Sequence, residues 1–253
     1  MHKARRRGAW LLFVLLLAGA AAPAFAQTIT IPAFNFVQPA QTPREVSLSL
    51  QLLVLLTVLS VGPSLLIMTT CFTRIIIVFS FLRQALGTRT LPPNQLLVGL
   101  ALFLTAFIMR PVWQEMDEQA FRPYLNGTMT QQEAFNRSLA PLRTFMLNHT
   151  REKDLGLFMS IAKIPTPKTP AELSMGVITP AFIISELKTA FIIGFIIYIP
   201  FLIIDMVVAS VTMSMGMMML PPAMIAMPFK LLMFVLVDGW YLLVKSLVGS
   251  FYQ

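Results

Sequence analysis

The chain has 253 residues, of which 57% are hydrophobic and 12% charged, with a mean hydropathy of +0.75. Water-soluble domains carry roughly 25% charged residues, so half that share excludes a surface that faces water throughout. The formal charge of +8 does not argue for a nucleic-acid partner, because Lys3, Arg5, Arg6 and Arg7 supply half of it and precede an apolar run.

That run, 9–22, is followed by Pro23 and the tripeptide Ala24-Phe25-Ala26. A basic start, an apolar stretch too short to span, and small residues two apart predict a cleavable signal peptide over 1–26, with a permanent anchor as the alternative. Residues 27–47 hold Pro32, Pro39 and Pro43 without a helical period, which predicts an extended N-terminal arm.

The N-terminal apolar helices are expected over 48–112. The stretch 46–73 carries no charge over 28 residues, enough for a spanning helix of about 20, with a kink expected at Pro63. The apolar run then takes in Arg74 and Arg83 and ends at Gly87 and Pro92-Pro93. The stretch 90–109 is again charge-free for 20 residues. Arg74, Arg83 and Arg89 occur with no acid between 70 and 95, which places that stretch on the cytoplasmic side by the positive-inside rule. The next region then lies outside.

Residues 113–176 differ in kind, with seven acids and seven bases. Trp113, Met116, Ala120 and Tyr124 recur at helical spacing, as do Phe135, Leu139, Leu142 and Met146, so each set predicts one apolar helix face. This is an amphipathic helical periplasmic region, closed by Pro165, Pro167 and Pro170. On the same periodicity Phe145 and Phe158 are candidates for subunit contacts. Two apolar blocks, 180–211 and 221–248, predict a C-terminal helical hairpin over 177–253.

Those two blocks hold Glu186, Lys188, Asp205, Lys230, Asp238 and Lys245. An ionisable group in hydrocarbon costs at least ~2.5–3.5 kcal/mol on insertion scales, so each needs a partner or water. Glu186 and Lys188 point about 200° apart on a helix and do not face each other. They are expected to reach other helices or other subunits, as are Asp205, Lys230 and Asp238. A proton relay through Glu186 or Asp205 is the transporter reading. Nine of the seventeen methionines fall between Met206 and Met233, five of them between Met213 and Met219. Methionine is unbranched and polarisable and fills irregular gaps. Beside Gly216 and before Pro221-Pro222 it makes a soft bend that, repeated around an axis, would form a deformable apolar gasket. Helix-end packing is the plainer alternative, and copper(I) binding a weaker one, since no His or Cys adjoins it.

No catalytic site, metal or cofactor is expected. Cys71 and His149 cannot build a metal cluster. Gly-rich phosphate loops, HExxH and GxSxG do not occur, and Ser185 has no base near it in sequence. The sequons at Asn126, Asn136 and Asn148 read as chance.

The C-terminal half then becomes specific. Ala181-Phe182-Ile183-Ile184-Ser185-Glu186-Leu187-Lys188-Thr189-Ala190-Phe191 resembles the signature of the FliP/SctR family of type III secretion export-gate proteins. Tyr198-Ile199-Pro200-Phe201-Leu202-Ile203-Ile204-Asp205 and Met215-Gly216-Met217-Met218-Met219-Leu220-Pro221-Pro222 follow in order. Pro228-Phe229-Lys230 and Val237-Asp238-Gly239-Trp240 complete it, and Phe72-Thr73-Arg74 and Leu86-Gly87-Thr88 match in the N-terminal half. Arg89, Leu91 and Thr212 depart from the pattern. The signal peptide and the Leu-Pro-Pro favour the flagellar branch over the injectisome branch.

The resemblance implies an all-α membrane protein, its helical hairpins packed into an oligomeric conical gate. The gate would hold several copies of the chain with FliQ and FliR, would sit beside FlhA and FlhB in the inner-membrane basal body, and would pass unfolded flagellar proteins. It implies a gate lined by Met215, Met217, Met218 and Met219, and subunit contacts at Glu186, Lys188, Asp205, Lys230 and Asp238. An injectisome homologue is the near alternative. A stand-alone secondary transporter or ion channel is the distant one, and it would want internal repeats that the two apolar halves do not display.

Overall fold

A computed structural model describes residues 43–88, 90–165, 172–216 and 221–252, and every regular element among them is helical. Backbone contacts divide the chain into two units, 1–55 and 56–253. The expected signal peptide, and the arm as far as residue 42, lie outside the described residues.

Helix α1 (Pro43–Met68) contains the boundary between the units and supplies all that is described of the first. Residues 43–47, expected to be extended, are helical. Proline is tolerated at a first helical position, where its missing N–H would have had no partner anyway. The helix also runs on through Pro63. Its segment Leu50–Met68 is apolar on every side and almost wholly exposed, which is the pattern of a helix solvated by something other than water.

In the second unit, α2 (Phe72–Ala85) turns Phe72, Ile75, Val78, Phe79 and Leu82 inward at helical spacing. The chain returns in α3 (Asn94–Ile108), which packs on α2 through Leu97, Ala101, Leu104 and Ile108. It then bends by 53° into α4 (Arg110–Met116), one turn of π-helix (Asp117–Phe121) and α5 (Arg122–Leu125). Helix α6 (Gln131–Asn148) opens on a side-chain N-cap, with the Thr130 hydroxyl accepting from the Glu133 N–H at 3.3 Å. Helix α7 (Glu152–Ile161) follows. Helix α8 (Met175–Ser214) is 40 residues long, with Pro180 and Pro200 inside it. Helix α9 (Pro222–Leu236) returns against α8, and α10 (Gly239–Gly249) leaves it at 65°.

The core lies where α2, α7 and α9 pack on α8. Helices α2 and α8 cross closely at Gly194, where a Cβ would stand 2.6 Å from the Phe81 ring. The bare glycine lets α8 ride against that ring, which also meets Phe191 edge-on with centroids 5.3 Å apart.

The outer faces are rotated from expectation. Helix α6 buries Ala134, Ser138, Pro141, Phe145 and Met146, and leaves Phe135 exposed. Small residues let α6 approach α4 and the π-turn closely, so the seam runs one residue round from the large apolar set. In the preceding region Ala120 is buried while Trp113 and Tyr124 are exposed. The π-turn widens the spiral between them and breaks the 3–4 spacing.

Candidate functional site

The seam of α2 with α8 carries charge into the core. Arg74 falls on the buried face of α2, one residue from Ile75, and Glu186 on that of α8, between Phe182 and Ala190. Arg74 Nε donates to Glu186 Oε2 at 2.8 Å, and Nη2 donates to Oε1, closing a two-pronged pair. The side chains are 3% and 0% exposed. The remaining nitrogen, Nη1, donates to the Ser250 carbonyl at 3.1 Å and to its hydroxyl at 2.8 Å. The guanidinium lies 3.8 Å from the Phe251 ring centroid. That ring stacks on Phe145 at 6.4 Å and tilts over His149 at 5.3 Å. A buried charge is tolerated when paired and fully hydrogen-bonded, and here residues 176 apart in sequence meet to satisfy one arginine.

Next to Glu186 on the same helix, Ser185 ties α8 to α7. Its hydroxyl donates to Asp154 Oδ2 at 2.6 Å and accepts the Arg151 backbone N–H at 3.0 Å. Arg151 Nη2 reaches the same carboxylate oxygen at 2.5 Å. Burial pushes the Asp154 carboxyl up, but the Ser185 and Arg151 donors outweigh it and hold the group below the usual carboxylate range. Ser185 is therefore a structural hydroxyl whose proton points at an anion.

Further along, Lys230 of α9 donates to Asp205 Oδ2 of α8 at 2.6 Å. The lysine is 5% exposed and the aspartate 34%. Asp205 Oδ1 is buried without a hydrogen-bond partner among the described residues. Lys230 Nζ would lie 3.9 Å from a Cβ on Gly87, so it stands at the C-terminal end of α2, where the helix dipole favours a cation.

The residues expected at subunit contacts thus divide. Glu186, Asp205 and Lys230 are paired within the chain, and Phe145 is buried in its aromatic cluster. Phe158 is half-buried against the same core. Lys188 and Asp238 are exposed. The expected gate falls at the end of α8. Met213 and Met215 are 65% and 69% exposed, and Gly216 takes φ +73° to end the helix. Met217, Met218 and Met219 lie outside the described residues.

Arg74 also corrects the orientation argument. It is neutralised by Glu186 and stands beside Phe251, which touches Phe145 and His149 of the charged region. It belongs at the level of that region, not with Arg83 at the other end of α2. Sequence reasoning missed Arg74 as the partner of Glu186, and missed Asp154, Ser250 and Phe251 altogether. The available signal was a lone cation inside an apolar run, which demands an anion without saying which.

A family model described as "FliP family" matches residues 55–247. The flagellar biosynthetic protein FliP of Bacillus subtilis (strain 168) is 58% identical over 209 residues, covering 83% of this chain and 95% of that one. The protein of that name from Pectobacterium carotovorum subsp. carotovorum is 57% identical over 207 residues, covering 82% and 80%. The one from Caulobacter vibrioides is 55% identical over 201 residues, covering 79% and 76%.

Proposed function

The chain belongs to the FliP family, and from that premise we propose that it is a channel-forming subunit of the flagellar export gate. It is an all-α membrane protein and a component of flagellar biosynthesis and protein export. In the proposal, several copies join FliQ and FliR around a passage for unfolded flagellar proteins, with FlhA and FlhB alongside, in the inner membrane of the basal body. The chain would lose residues 1–26 on export and hold its charged region on the periplasmic side. Its part would be structural rather than catalytic.

The observation that carries this reading is the second half of α8. Phe195, Ile199, Ile203, Met206, Val211 and Met213 are exposed along it, and the helix ends on the methionine turn. Such a surface asks for neighbours of its own kind. Lys188 and Asp238, exposed at their helices, would contribute to subunit contacts, and Phe158 by its free edge. Glu186, Asp205 and Lys230 would act through the helices they lock. Met215, Met217, Met218 and Met219 would form the closing ring.

The test replaces those four methionines with alanine in the complete export apparatus. Membranes carrying the variant should leak small ions while export of flagellar subunits partly survives. Ion permeability equal to wild type would remove the methionine gate from the proposal.

A further inference from the structure

Helix α10 is strained at one end and clasped at the other. At its start Asp238 adopts φ 51°, ψ 54°, a left-handed conformation for a residue with a Cβ. Aspartate tolerates that region when its carboxylate bonds locally, but here the side chain makes no capping bond. The next residue has no freedom either, since a Cβ on Gly239 would stand 2.2 Å from the Phe234 ring. Strain of this kind persists only where surrounding structure over-determines it.

The restraint comes from the far end. Beyond α10, Ser250 takes two hydrogen bonds from Arg74, and Phe251 lies under the guanidinium. Leu243 and Leu247 are buried between the two ends. An apolar pocket of about 250 Å³, open to the surface, lies against α10, lined by Leu82, Phe201, Phe234 and Leu243, with Pro200 of α8 on its wall. Pro200 removes a backbone hydrogen bond from α8 at the same level.

We propose that α10 is a sprung arm, strained at its Asp238 pivot and held shut by an Arg74 catch acting through Ser250 and Phe251. The open pocket beside it gives the arm room to move. The proposal does not depend on the export reading, for its readout is a distance within one chain.

Spin labels at Lys188→Cys and Lys245→Cys, both exposed positions, report α10 against α8. The native Cys71 is fully buried, so it stays unlabelled. Labelled chains are diluted into unlabelled ones in the full assembly, and the interspin distance distribution is measured. The parent should give a narrow distribution. Phe251→Ala should broaden and shift it, and the milder Ser250→Ala should do so less. Adding Asp238→Gly to Phe251→Ala relaxes the pivot and should narrow it again. A distribution unmoved by both Phe251→Ala and Ser250→Ala overturns the catch. Broadening that Asp238→Gly leaves uncorrected overturns the spring and reduces Phe251 to ordinary packing.

Discussion

At Arg74 and Glu186 the geometry separates two quantities that are easily confused. Breaking a buried pair strands a charge and costs about 3–5 kcal/mol, whereas replacing both partners with apolar residues is often neutral. Glu186→Gln should therefore lower the thermal midpoint of the detergent-solubilised complex steeply. Arg74→Met combined with Glu186→Leu should recover most of the loss, and an equal loss in both variants would contradict the assignment. Asp154 makes a prediction of opposite character. Its folded-state pKa lies below the ordinary carboxylate value, so its stabilisation is complete above that ordinary value and is lost as pH falls through the depressed one. Stability should be flat with respect to this group at neutral pH and fall on strong acidification. Asp154→Asn, which retains an acceptor for Ser185, should flatten that acid limb in a pH series of unfolding midpoints. A limb of unchanged steepness would show that other carboxylates carry it. These residues also mark how far the sequence could be read. That Glu186 and Asp205 needed partners was legible from charge in apolar helices. That Arg74 answers the first and Lys230 the second was not, because pairings across 112 and 25 residues depend on the fold.

Among the elements, existence was easier to read than orientation. Long apolar runs foretold α1, α3, α8 and α9, since hydrophobicity sustained over about 15 residues or more leaves few alternatives to a helix. The inward faces of the amphipathic region were misread because periodicity counts large apolar residues, while close seams are built from small ones. Ala134 and Ser138 of α6 are such residues. Gly194 is the same lesson at the centre of the molecule, an absence of side chain that sets an interhelical distance. Gly194→Ala should drive a methyl into the Phe81 ring, and overpacking of this kind costs typically about 1–3 kcal/mol. The loss should shrink in the background of Phe81→Leu, so a double-mutant cycle on thermal stability should report strong coupling. Additive losses would mean that α2 and α8 do not cross at this pair.

For the whole molecule, length decides more than hydropathy does. At 1.5 Å per residue α8 is about 60 Å long, twice the roughly 30 Å of a bilayer's hydrocarbon. A hydropathy reading would call all of it membrane, yet one bilayer cannot hold it upright. Charges paired within the fold fit this, as Glu186, bound to Arg74 of α2, and Ser185 sit buried on its first half. The second half, from Phe195 to Met215, presents mostly exposed apolar side chains. Single cysteines at Ile184, Ile196, Val207 and Met213, each carrying an environment-sensitive fluorophore, would sample about 44 Å of helix rise. Quenching by lipids that carry nitroxides along their acyl chains should therefore reach some of these sites and spare others in the native membrane complex. The quenched group should be contiguous along the helix, because a continuous helix passes through the hydrocarbon once. Equal quenching at all four would require α8 to lie nearly flat in the membrane. That pose would press Lys188 and the Asp205–Lys230 pair toward acyl chains at the cost described for buried charge.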